Sequence, residues 1–258
     1  MKDGEKMAKI MAVANQKGGV GKTTTTVNLC AGLALNEKRV LLVDFDPQGN
    51  ASSGFGIDKT TVENTVYQVL IDGQPIDSAI IHTDYEVDLL AANIDLAGAE
   101  IELVNLDNRE MRLKTVLDTV RDNYDYIVID CPPSLGLLTL NALTAADMVL
   151  MPIQCEFYAL EGVSQLMNTI TLVQSGLNPD LTVGGVLLTM YDSRTKLSEQ
   201  VAAEVRNYFP TAVYETFIPR TVRLSEAPSF GMPIIYYDHA CKGTEVYLKL
   251  AKEVIARE

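Results

Sequence analysis

The chain has 258 residues, 47% of them hydrophobic and 21% charged, a balance that belongs to globular proteins and excludes a disordered chain. That length holds one large α/β domain or two small ones, with ample buried core in either case. A formal charge of −13 and a pI near 4.6 make the chain a poor general binder of nucleic acid, so any such contact has to come from a local basic patch.

The opening Met1-Lys-Asp-Gly-Glu-Lys6 lacks the apolar centre of an export signal, and residues 1–7 are expected to be flexible. No apolar run is long enough to cross a bilayer, which sets the expectation of a cytoplasmic protein. In chain order the pattern predicts a strand over 10–14, a helix over 22–35, a strand over 39–44, a helix over 62–70 and a strand over 87–91. It continues with a helix over 112–123, a strand over 126–130, a helix over 137–145, a strand over 148–153, a helix over 162–175 and a strand over 182–189, then helices over 197–208 and 245–256. The strand candidates are continuous Val/Ile/Leu runs rather than alternating ones, which suits parallel strands covered on both faces. With no repeat and no Pro/Gly/Ser linker, the expectation is a single α/β domain over 1–258, a mostly parallel twisted sheet with helices on both faces.

Between the first strand and the first helix lies Lys17-Gly18-Gly19-Val20-Gly21-Lys22-Thr23-Thr24. Glycines let successive backbone N–H groups curl toward one anion, and the helix that follows adds its positive N-terminal end. In such a phosphate loop Lys22 reaches the β- and γ-phosphate oxygens and the Thr23 hydroxyl coordinates Mg²⁺. Lys17 is redundant for phosphates held by its own subunit. It is placed either to reach a nucleotide held by a facing subunit, supplying positive charge in trans, or simply to sit solvated at the surface.

Two further strands end in carboxylates: Asp44-Phe-Asp46-Pro-Gln-Gly49 after 39–43, and Asp130-Cys-Pro-Pro133 after 126–129. Ligands of open α/β sheets bind at that carboxyl edge. Asp130 is read as the Mg²⁺-holding carboxylate, Asp46 as the group that orients the attacking water, and Asp44 as a residue of the metal site, with a plain turn cap as the other reading of Asp44. Gly49 and Ser52-Ser-Gly54 beyond them suggest a switch loop. Cys30, Cys131, Cys155 and Cys241 form no CxxC pair and read as reduced thiols. His82 and His239 read as surface residues, and Tyr236 and Tyr237 as packing residues that could also stack bases.

These segments make the sequence resemble the ParA/MinD group of deviant Walker A ATPases, most closely its Soj-like chromosomal partition branch. The resemblance runs from about residue 8 onward and extends to Leu188-Thr-Met-Tyr-Asp192-Ser-Arg194 and Ile218-Pro-Arg220-Thr-Val-Arg223-Leu-Ser-Glu-Ala-Pro-Ser229. It implies a weak ATPase that uses ATP and Mg²⁺, dimerises around nucleotide through Lys17, binds DNA without sequence preference as the ATP dimer and is released when a ParB-type partner stimulates hydrolysis. It further implies a nucleoid-associated protein with no membrane partner. Adenine contacts map to Pro219 and Thr221, and DNA contacts to Arg194 and Arg223, with Arg220 and Lys242 beside them. Two other readings stay open at this point. One is a membrane-associated positioning ATPase of the MinD kind, against which the modest positive charge of the amphipathic stretch from Val246 counts. The other is a nucleotide-dependent regulator without enzymatic turnover.

Overall fold

The computed structural model describes residues 7–157 and 159–257, apart from the side chain of Glu161. The expectation for residues 1–7 lies outside the described residues except at Met7, which is exposed. The chain order begins β1 (Lys9–Val13), α1 (Lys22–Ala34), β2 (Val40–Asp44) and a short α2 (Asn50–Gly54). An edge pair follows, β3 (Ile80–His82) and β4 (Asp88–Leu90), then α3 (Leu96–Glu102) and α4 (Arg112–Asp118). Next come β5 (Tyr126–Asp130), α5 (Leu137–Ala145), β6 (Met148–Gln154), α6 (Glu161–Gly176), β7 (Thr182–Thr189) and α7 (Lys196–Tyr208). Two short helices, α8 (Val222–Glu226) and α9 (Ile234–Tyr237), lead to α10 (Lys242–Ala256).

The strands form one seven-stranded sheet in the order β3-β4-β2-β5-β1-β6-β7, parallel except where β3 runs against β4. Because successive side chains of a strand point to opposite faces, Ile10 and Ala12 of β1 join one buried cluster while Met11 and Val13 join the other. The first cluster packs under α4 to α7 and the second under α1 and α10. This two-sided burial explains why the strands read as unbroken apolar runs. Register then places the chemistry: Val13 pairs with Asp130, and Asp130 with Asp44, so three parallel strands end level with one another in the middle of the sheet.

Most expected elements form within a residue or two of their predicted limits, and three differ. The helix expected over 245–256 begins three residues earlier, at Lys242. The helix expected over 62–70 is instead a single wide turn, Gln68–Asp72, entered at Val66. Thr65 sets its start: the Gln68 Oε1 accepts from both the Thr65 N–H at 2.9 Å and its hydroxyl at 2.7 Å, and Gly73, at φ 70°, ends it. The helix expected over 112–123 stops at Asp118, because the Thr119 N–H and hydroxyl both turn back to the Val116 carbonyl.

Candidate nucleotide-phosphate site

The loop after β1 is anchored from below before it turns into α1. Asn15, buried, donates from Nδ2 to the Pro152 carbonyl at 2.7 Å and accepts the Lys17 N–H at 3.0 Å. Gly19 and Gly21 then take left-handed backbone, φ 75° and 89°, which side chains rarely adopt. The Thr189 hydroxyl donates to the Val20 carbonyl at 2.8 Å, holding the loop's crest against β7. The first N–H bonded into α1 is that of Thr25, to the Gly21 carbonyl, so the N–H groups ahead of it stay outside the helical ladder and can serve an anion. Lys22 is buried and donates to the Lys17 carbonyl at 3.3 Å. Burial lowers its pKa, opposed chiefly by the charge of Asp130.

Beneath the loop, Asp130 is fully buried and accepts the Thr23 hydroxyl at 2.7 Å and the Thr26 hydroxyl at 3.0 Å. Burial, with Asp44 as a like-charged neighbour, pushes its carboxyl up to about 7. A hydroxyl and a carboxylate this close, both hard oxygen ligands, fit a hard divalent cation. Asp44 is also fully buried, raised by burial to about 6, and it is already engaged: its Oδ2 accepts the Ser52 N–H and hydroxyl, each at 2.7 Å. Its carboxylate therefore fixes the start of α2. Asp46 is buried, at 9% exposure, and accepts the Gln48 N–H at 2.9 Å.

A cleft of about 260 Å³ opens beside the loop, bounded by Gly21, Thr24, Thr189, Pro219, Thr221 and Tyr247. The structure thus brings Pro219 and Thr221 to the side of the phosphate loop. The Thr221 hydroxyl caps α8 by accepting the Leu224 N–H at 3.3 Å. Of the basic set, Arg194, Arg220 and Lys242 meet around one surface depression with Tyr191 and Phe217. Arg223 does not line it; its guanidinium pairs with Glu226 at 3.0 Å and Asp238 at 3.3 Å. Arg194 pairs with Asp192 and Lys242 with Glu245, whereas Arg220 has no acidic partner among the described residues and rests near the Met190 sulfur. His82 and His239 are exposed, and Tyr236 and Tyr237 pack against Tyr85 and Phe230. Cys30, Cys131 and Cys155 are buried, and burial raises each thiol.

Sequence reasoning missed Asn15, Thr26, Ser52 and Thr189. Thr26 carried a signal, since it lies one turn beyond Thr23 on the same helix face. Thr189 ends a strand at the carboxyl edge, the same signal that exposed Asp44 and Asp130. Ser52 had none, because its partner is set by the fold of the loop.

A central parallel sheet, a glycine loop feeding a helix, and a strand-end carboxylate under that helix's first turn define a P-loop nucleoside triphosphatase. A family model described as an AAA domain matches residues 8–183. The chain is 63% identical over 251 residues to the sporulation initiation inhibitor protein Soj of Bacillus subtilis, covering 97% of this chain and 99% of that one. It is 56% identical to the chromosome partitioning protein ParA of Myxococcus xanthus, covering 98% and 89% of the two chains. Among solved structures, the cobyrinic acid a,c-diamide synthase of Mycobacterium smegmatis with bound ADP and magnesium superposes with a TM-score of 0.85 at 43% identity, covering 95% and 93%. The chain belongs to the Soj/ParA family of chromosome-partitioning ATPases.

Proposed function

We propose that the chain works as an ATP-fastened dimer that holds DNA regardless of sequence until a ParB-type partner provokes hydrolysis. The observation that carries this reading is the placement of two lysines on one loop: Lys22 buried beside Asp130, and Lys17 at the rim. One lysine suffices for the phosphates of its own subunit, which leaves the other for a facing one. Thr23 and Asp130 would hold Mg²⁺, which when bound neutralises charge on the phosphate oxygens. A relative solved with ADP and magnesium supports a site for nucleotide and metal together. The free N–H groups of the loop bind phosphate, Lys22 supplies positive charge, Asp46 aligns water for in-line attack, and Asp44 keeps the Asp46 loop in place through Ser52. Pro219 and Thr221 would border the base.

DNA would lie across the depression of Arg194, Arg220 and Lys242, with Arg223 to its side. Two subunits double the phosphate contacts of one, which makes retention depend on the dimer and places the protein on the nucleoid. A lipid-surface role for α10 is not favoured, since Val246, Tyr247, Leu250 and Val254 are buried in the core shared with α1. Light scattering coupled to size exclusion tests the switch. The expected result is a monomer with ADP and a dimer with ATP and Mg²⁺, the dimer persisting longer in Asp46→Ala. A monomer under every nucleotide condition overturns the proposal.

A further inference from the structure

Lys17 is gripped from four sides within its own protomer. Its N–H donates to Asn15, its carbonyl accepts the Lys22 ammonium at 3.3 Å, and Gly162 of α6 lies so close that an added Cβ would stand 3.6 Å from the Lys17 Cβ. The fourth contact is different in kind: the Lys17 ammonium pairs with the Glu156 carboxylate at 2.6 Å. Glu156 sits in the turn between β6 and α6, outside the phosphate loop and outside every role assigned above. The three backbone and packing contacts can survive while the side chain swings. The ion pair cannot, because one ammonium does not serve a carboxylate in its own subunit and a phosphate in the next.

We infer that Glu156 is a positioning residue that holds the Lys17 side chain back in the lone protomer and so sets the threshold for nucleotide-dependent dimerisation. The inference rests on the trans role of Lys17 proposed above. The pair is suited to such a task by being breakable. The Lys17 side chain is 37% exposed and that of Glu156 41%, so the pair is partly solvated and modest in strength. Triphosphate oxygens carry more negative charge than one carboxylate and compete well for the same ammonium. Each dimer breaks two such pairs, one per subunit, so the restraint enters the dimerisation constant squared.

The test uses the full chain with Mg²⁺ and a non-hydrolysable ATP analogue, followed by sedimentation velocity. Glu156→Gln keeps the shape and removes the charge. Its dimer is expected to be tighter than wild type by between about two- and 30-fold, the square of a surface pair's usual worth, with Glu156→Asp in between. An unchanged or weaker dimer overturns the inference, because the carboxylate then either does nothing or supports Lys17 in the assembled form. A second readout needs no dimer: acylation of lysines in nucleotide-free protein, read by mass spectrometry. Lys17 should label several-fold faster in Glu156→Gln, while the exposed Lys249 and Lys252 keep their rates. Equal labelling overturns the inference, and so does faster labelling without tighter dimerisation. If Lys17→Ala dimerises like wild type, the trans role itself has failed, and the labelling experiment still reports separately on whether Glu156 holds the lysine.

Discussion

At the scale of single residues, the carboxylates under the phosphate loop divide by what already occupies them. Asp46 has one backbone N–H on its carboxylate, Asp130 has two threonine hydroxyls, and Asp44 takes the Ser52 N–H and hydroxyl on one oxygen and the Asp46 N–H on the other. Substitutions at the three should therefore fail differently. Asp46→Ala should lower steady-state ATP hydrolysis by about 10²-fold or more while nucleotide still binds, as measured by phosphate release beside equilibrium dialysis. Asp130→Asn should instead weaken Mg²⁺-dependent binding of nucleotide. Ser52→Ala should cost stability: the Ser52 hydroxyl donates to Asp44 and accepts the Ala92 N–H at 3.1 Å, so its loss leaves the buried Ala92 N–H unpaired and removes one of the hydrogen bonds on the buried Asp44 carboxylate. A loss of about 2–3 kcal/mol in urea unfolding is expected.

At the scale of elements, α1 is the hinge between fold and site. Its front turn carries Lys22 and Thr23, and its back packs on α10, where Gly32 brings the helices close enough that a Cβ would meet that of Ala251 at 3.0 Å. Leu250, fully buried in that seam, should cost about 2–5 kcal/mol when cut to alanine, seen as a lowered urea midpoint with an unchanged slope. The parallel strands and long helices were legible because burial on both faces leaves an apolar run no other reading, and Asp44 and Asp130 were legible because they close such runs. The short elements were not. Helix α2 exists because Asp44 holds Ser52 across eight residues, and β3 because β4 offers it an edge. Neither depends on a local periodicity. The Glu156 contact was invisible for the same reason, since Lys17 lies 139 residues away.

At the scale of the whole molecule, the proposed function asks a protein of formal charge −13 to bring DNA to one basic depression against its own field. Most of that depression is neutralised internally, Arg194 by Asp192 and Lys242 by Glu245, and Arg220 is the cation there without an acidic partner among the described residues. Arg220→Ala should therefore weaken ATP-dependent DNA retention more than Arg194→Ala does. In filter binding across a salt series, losing one phosphate contact per subunit should flatten the slope of log K against log salt by about 2 for the dimer. Equal losses in the two variants would show that the internal pairs open freely when DNA arrives.

The Tyr247 hydroxyl on α10 lies 3.3 Å from that of Thr25, directly behind the phosphate-binding turn, although 222 residues separate them. On the ribosome, at about 5–20 residues per second, the loop emerges roughly 10–45 s before the helix that backs it. A nascent chain therefore displays the glycine loop long before the helix that backs it has been made.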